Sequence, residues 1–339
     1  MTTTTADMIN AIVEIARDYE GTNFTNTHVN TWLNQFPSNQ HDLILQELHS
    51  ILSKTYISKE WAIKFFENLM DNNNIFPQRI ENYKFINPQE IGGSQTAMLE
   101  IVDGVIQEKY GLSLDDCGQD IITSYIYIDD AIYTGNRVNR DIQRWANELD
   151  DPSLVLQIDI IVLALHRRNI DYVARQIKGV LPNARITFWR SVEFCDDIFE
   201  VKKSFESYLP SSELEYNDET NRYIESVRET RTATQNEKVP LLRNNGEPKS
   251  DKYFTSLQNR NLIEKIFFEK GVEIVSYAMN PNPNMRPMGY DSRKTLGFGS
   301  YLVTYRNIAN NCPVVLWWGD LNAFAGIDNW YPLFPRTTN

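Results

Sequence analysis

Cysteine is scarce in this 339-residue chain: Cys117, Cys195 and Cys312 stand far apart, with no metal-ligand spacing among them. A disulfide framework and a thiolate zinc site are therefore excluded, and the odd count suits a reduced, cytoplasmic compartment. The four histidines do not cluster, since His28, His41 and His49 lie early and His166 alone lies in the middle of the chain. A Ser/His or Cys/His hydrolase thus has no support. No apolar run is long enough to span a bilayer, and no signal-peptide or lipidation pattern is present, so no membrane association is expected. Basic residues are outnumbered, 33 Lys and Arg against 45 Asp and Glu, for a formal net charge of −12. A surface that tracks nucleic-acid phosphates needs clustered cations, so general nucleic-acid binding is not expected.

What is present is a folded chain with a hydrophobic content of 42% and enough length for one main domain with additions. Its most informative stretch runs from Tyr125 through Ile126, Tyr127 and Ile128 to Asp129 and Asp130, then Ala131, Ile132, Tyr133, Thr134, Gly135, Asn136 and Arg137. The pattern predicts a buried strand ending in two carboxylates, a tight turn and the start of a helix. Paired acids at the end of an apolar strand suit a sugar with vicinal hydroxyls or a divalent cation. A Thr-Gly turn opening a helix offers backbone N–H groups to a phosphate.

The following segments alternate. Val138, Ile142, Trp145 and Leu149 have helical spacing after Asn136. Residues 154–165 form a near-continuous apolar run, read as a strand buried on both faces. A helix over 169–180 and a strand over 185–194 come next. Strand–helix–strand–helix–strand implies an α/β fold with a parallel, doubly wound sheet, whose ligands sit outside the carboxyl ends of the strands. Asp129 and Asp130 fall at such an end, as do His166, Arg167 and Arg190. Upstream, Ile91, Gly92, Gly93, Ser94 and Gln95 precede a helix expected over 96–110. Two glycines let backbone approach an anion, and Ser94 can cap the helix; the plainer alternative is an N-cap after a turn.

The acidic stretch resembles the phosphoribosyl-pyrophosphate (PRPP) motif of type I phosphoribosyltransferases. By that resemblance Asp129 and Asp130 would be the catalytic acids, holding the ribose hydroxyls and meeting Mg²⁺ through water. Tyr133, Thr134, Gly135, Asn136 and Arg137 would wrap the 5′-phosphate, and Gly92, Gly93, Ser94 and Gln95 would receive pyrophosphate. Arg137 stands where the family has a second Thr, replacing a hydroxyl contact by a cation that can grip phosphate bidentately. Tyr127, Ile128, Asp129 and Asp130 also resemble the Tyr-x-Asp-Asp box of reverse transcriptase palms. That box sits at a hairpin tip, whereas here a turn and a helical pattern follow.

Residues 1–85 read as a helical module, either partner-binding or similar to a winged helix. Residues 199–270 read as a helical and mobile-loop insertion, with helices over 200–208 and 221–231. Its polar part, 232–251, would be a solvated loop or a lid bringing Arg228, Arg231 and Arg243 to an anion. Residues 86–198 and 271–339 are assigned to the α/β core, with β-prone runs at 272–277, 299–305 and 314–318. Trp189 and Tyr133 are candidates for stacking a base, with core packing as the alternative.

Near the end, Leu296, Gly297, Phe298 and Gly299, followed by Asn310, Asn311, Cys312, Pro313, Val314, Val315, Leu316 and Trp317, resemble the terminal signature of the phosphoribosyltransferase-like proteins called PRTase-CE. Trp32, Gln35 and Phe36 and residues 48–56 resemble it too. The likeness implies a bacterial conflict or anti-phage effector, in some cases associated with a retron reverse transcriptase. It further implies a PRPP or nucleotide ligand with Mg²⁺ and chemistry at an N-glycosidic bond. A protein or a reverse transcriptase with its RNA would meet the helical module. A binding module that senses such a ligand without consuming it is the alternative.

Overall fold

The structure, a computed structural model, describes residues 4–89, 93–197, 201, 203–232, 240–278, 282–324 and 326–337. Its contacts divide into two compact units, residues 1–58 with 196–338, and Lys59–Cys195. The first begins with α1 (Thr5–Ile15), α2 (Asn26–Leu33), α3 (His41–Thr55) and the short β1 (Tyr56–Ile57). The second contains α4 (Lys59–Met70), β2 (Tyr83–Ile86), α5 (Ser94–Tyr110), β3 (Ser124–Ile132), α6 (Asn136–Asn147), β4 (Gln157–His166), α7 (Ile170–Val180) and β5 (Arg185–Phe194). The chain then returns to the first unit with α8 (Asp218–Thr232), α9 (Leu257–Ser276), β6 (Val303–Thr304) and α10 (Val314–Trp317). Among the described residues, no helix is long and apolar enough to cross a membrane.

In the second unit, the Ile- and Val-rich runs pair as one parallel sheet in the order β2-β3-β4-β5. β4 is buried along almost its whole length, as its unbroken apolar run requires. Tyr127 of β3, Ile158, Ile160 and Val162 of β4, and Ile186 and Phe188 of β5 share one face. They pack against Val138 and Ile142 of α6 and Val173 and Ile177 of α7. Each such aliphatic side chain contributes roughly 1.5–3 kcal/mol by leaving water. Ser191 alternates onto the other face of β5, where it accepts a 2.9 Å hydrogen bond from Trp61 Nε1 of α4. The α/β class with a parallel sheet is as expected. The strand order is sequential, however, and the reversal that defines a doubly wound sheet is not found among the described strands.

The first unit is mainly helical and departs from the sequence expectation. Residues 271–339 were expected in the α/β core, but 271–338 fall in this unit with α1–α3. Of the expected strand 272–277, residues 272–276 are the end of α9, a 20-residue helix whose buried residues include Ile263, Phe267, Phe268, Val272 and Ile274. So much buried surface leaves little polar face to mark a helical period. Residues 314–317 form a helical turn after Pro313, and 299–305 yield only the two-residue β6, parallel to β1. The C-terminal segment binds the N-terminal helices directly, through Trp32 Nε1 to the Val315 carbonyl at 2.8 Å and the Tyr331 N–H to Gln35 Oε1 at 2.8 Å. The helical module in turn ends at Ser58, because α4 and β2 belong to the second unit.

Described parts of the insertion also differ from the expectation, while 233–239 of the expected loop lie outside the described residues. Residues 203–208 are not helical. Arg243, expected in a solvated loop or lid, is only 1% exposed. It donates to Glu264 Oε2 at 2.5 Å, to Asn261 Oδ1 at 2.7 Å and to the carbonyls of Leu209 and Glu247. A cation spent on so many buried acceptors pins its segment and is unavailable to a ligand.

Candidate functional site

β2 and β3 run parallel and adjacent, with Ile86 opposite Tyr127, so the loops leaving their carboxyl ends are neighbours. Each loop ends in a glycine N-cap, Gly93 for α5 and Gly135 for α6, so neither N-cap supplies a side-chain acceptor, and at α6 the Asn136 N–H reaches Thr134 Oγ1 only at 3.5 Å. Their first N–H groups therefore keep donor capacity for an anion. Gly135 has φ +76°, and a Cβ there would stand 2.1 Å from Val173 Cγ2, so the turn requires glycine.

Between these helix starts stand the two acids. Asp129 is 1% exposed, whereas Asp130 is half-buried. Asp129 Oδ1 accepts from Ser94 Oγ at 2.5 Å and from the Asp130 N–H at 2.9 Å. Its Oδ2 lies 3.1 Å from the Tyr127 hydroxyl and 3.5 Å from Gln89 Nε2. The same two donors reach Asp141 Oδ2 of α6, at 3.1 and 2.8 Å. Burial, and then the charges of Asp129 and Asp141, hold the Tyr127 hydroxyl well above the ordinary tyrosine range, so it stays a donor. Arg137, half-exposed at the first turn of α6, donates to Gln89 Oε1 at 2.9 Å, with its Nε 3.9 Å from Asp141. Arg144 also faces Asp141, at 3.6 Å, and donates to the Pro88 carbonyl.

With this geometry, the sequence match to the PRTase-CE model over residues 29–336 decides the family. The chain belongs to the PRTase-CE family. No curated protein and no solved structure matches it. For this PRTase-CE protein, the description phosphoribosyltransferase-like is therefore earned by nearly the whole chain. Its terminal signature lies in the first unit and is architectural there. Gly299, at φ +75°, lies so close to Tyr208 that a Cβ would meet the Tyr208 carbonyl oxygen at 2.2 Å.

Of the residues expected at the site, Asp129, Asp130, Thr134, Gly135, Asn136, Arg137, Gly93 and Ser94 are brought to the neighbouring loops or helix starts. Gly92 lies outside the described residues. Ser94 is the first residue of α5 and donates to Asp129, in place of the cap expected of it. Gln95 is fully buried and spends its amide on the Ile128 carbonyl and the Gln89 N–H, so its side chain serves the scaffold. Tyr133 presents its ring to His166 at 5.5 Å, and His166 stacks in turn on Phe194 at 4.7 Å, while the Tyr133 carbonyl accepts from Asn169. Trp189 donates to Asp159 in the amino-terminal half of β4, away from the loops, which removes it as a base-stacking candidate. Arg190 pairs with Glu193, and Arg167 stands 4.0 Å from the same carboxylate. A polymerase palm is not formed, because the acids end a strand that leads into α6, between parallel neighbours.

Among the described residues, no group of three or more His, Cys, Asp or Glu side chains is arranged to hold a metal ion. Four protein donors crowd Asp129, one of them shared with Asp141, so its oxygens do not fit direct coordination. The partly exposed Asp130 is the residue that would hold Mg²⁺, through water.

Gln89, Tyr127 and Asp141 escaped the sequence reading. The signal for Tyr127 was present, a polar aromatic two residues before Asp129 on the same strand face. Asp141 stands one turn beyond Arg137 on α6, where an acid at i+4 ordinarily reads as a surface ion pair.

Proposed function

We propose that the loops after β2 and β3 form a phosphoribosyl site of the type I kind, binding PRPP or a nucleotide and making or breaking its N-glycosidic bond. The observation that carries the reading is the conjunction of the Asp129–Asp130 pair with the glycine-turned, uncapped start of α6 directly behind it. In this assignment the N–H groups of 133–137 and the Arg137 guanidinium take the 5′-phosphate. The uncapped start of α5 at Gly93 and Ser94 takes pyrophosphate. The acids face the ribose, where they stabilise positive charge developing at C1′. Mg²⁺, held through water at Asp130, would offset charge on the departing pyrophosphate.

The setting suggested by the family likeness is a cytoplasmic effector of bacterial anti-phage defence. α1–α3 are proposed to carry the contact with a protein, or with a reverse transcriptase and its RNA. The test is mass spectrometry of PRPP and a nucleotide panel incubated with the protein and Mg²⁺, beside Asp130→Asn. Consumption by the wild type alone is expected; equal consumption by the variant would reject the site.

One observation favours a second reading, a sensor that binds without turnover. Asp129 is buried among protein donors. A sensor would bind ligand, change its association with a partner and return the ligand intact.

A further inference from the structure

We propose that Tyr127 and Asp141 are positioning residues that lock Asp129, and that Asp129 in turn positions Asp130, which alone of the two acids touches the ribose. The proposal rests on the phosphoribosyl reading above and divides the labour within it.

A carboxylate offers about four lone-pair sites. In Asp129 these face Ser94 Oγ, the Asp130 N–H, the Tyr127 hydroxyl and Gln89 Nε2, and 1% of the residue is exposed. A ribose hydroxyl could reach Asp129 only by expelling one of these donors. Asp130 follows it immediately and is partly exposed. Because Asp129 Oδ1 accepts the Asp130 N–H, the orientation of the Asp129 side chain fixes the peptide from which the Asp130 carboxylate projects.

What fixes Asp129 is unusual. A second acid, Asp141, is buried at 2% exposure, and the Tyr127 hydroxyl stands 3.1 Å from Oδ2 of each carboxylate. The hydroxyl has one proton, so it donates to one acid at a time while the two N–H groups of Gln89 serve both. The cations nearest Asp141 stand 3.6 and 3.9 Å away, on Arg144 and Arg137. Burying two acids around one hydroxyl is costly for stability unless the network is kept whole. Here it joins β3 to α6 and to Gln89 of the loop after β2, directly beneath the candidate subsites. The anion-binding N–H groups at the starts of α5 and α6 belong to the backbone and do not depend on where the Asp130 carboxylate points.

The two subsites can thus be separated by two probes. Isothermal titration with PRPP and Mg²⁺, and with inorganic pyrophosphate without Mg²⁺, would be run on the wild type, Tyr127→Phe, Asp141→Asn and the double variant, with thermal unfolding of each. Tyr127→Phe keeps the ring and removes only the hydroxyl, so it serves even if Asp141→Asn does not fold. Each single change is expected to weaken PRPP about tenfold, as loss of one hydrogen bond to a charged group implies. Pyrophosphate affinity should be unchanged, and the double variant should be no worse than either single one, as for residues acting as a unit. Equal loss for both probes, or undiminished PRPP binding by Tyr127→Phe, would overturn the assignment while leaving the phosphoribosyl reading intact. A wild type that binds neither probe would reject both.

Discussion

Ser94, the first residue of α5, donates its hydroxyl to Asp129 Oδ1 at 2.5 Å across 35 residues of sequence. This bond ties the loop leaving β2 to the acid near the end of β3. Ser94→Ala removes the donor and leaves a buried carboxylate oxygen with one partner fewer, at a cost of about 1–3 kcal/mol. The expected outcome is a lower denaturation midpoint together with weaker PRPP binding. A midpoint that fell with affinity unchanged would detach the bond from the site.

Arg137 is a different case. Its side chain is 53% exposed and rests on Gln89, so little stability depends on it. Arg137→Ala should shift stability by no more than about 0.5 kcal/mol, the usual range for surface substitutions. Affinity for a phosphorylated ligand should fall about tenfold, because a charge-assisted contact is lost. Titration of the wild type and variant at two salt concentrations checks this, and the wild type should show the steeper salt dependence.

His28 makes the first unit sensitive to acid. Its Nε2–H donates to the Leu333 carbonyl at 2.6 Å, and in the neutral ring its Nδ1 accepts from the Tyr331 hydroxyl at 2.7 Å. Burial pulls its pKa below the ordinary 6.5, outweighing the Leu333 carbonyl, which acts the other way. The unfolded chain therefore takes up the proton more readily. The stabilising contribution is present above about pH 6.5 and is lost as pH falls through the interval below it. Denaturant midpoints measured from pH 8 down to pH 5 should decline in the wild type and decline less steeply in His28→Gln.

Glu264 supports the same unit from within. It is fully buried, accepts from Arg243 at 2.5 Å and from Arg260 at 3.0 Å, and takes the Leu209 N–H at 3.0 Å. Removing it takes the carboxylate from the buried Arg243 and leaves Arg260 with Asp251, so Glu264→Ala should cost about 3–5 kcal/mol. Urea unfolding measures the loss, and proteolysis within 240–256 should accelerate with it.

Several of these features were legible in the sequence, and others were hidden for physical reasons. The run ending in Asp129 and Asp130 announced β3 because apolar burial and paired acids are local signals. The helix start at Asn136 followed from Gly135, whereas α5 starts at Ser94, two residues before the expected 96. The end of α9 was mistaken for a strand because Val272, Ile274 and Val275 are β-branched, while the burial that stabilises a helix there is tertiary. Arg243 looked solvated because its acceptors, Asn261 and Glu264, lie 18 and 21 residues away. Asp141 was not singled out because only the folded chain places it against Tyr127.

The central claim is that the ends of β2 and β3 bind a phosphoribosyl compound, and the most direct measurement is equilibrium titration of PRPP with Mg²⁺. The wild type is to be compared with the Asp129→Asn/Asp130→Asn double variant, with thermal unfolding confirming that both are folded. Saturable binding by the wild type and none by the variant is the predicted result. Equal binding by the two folded proteins, or none by the wild type, would contradict the claim.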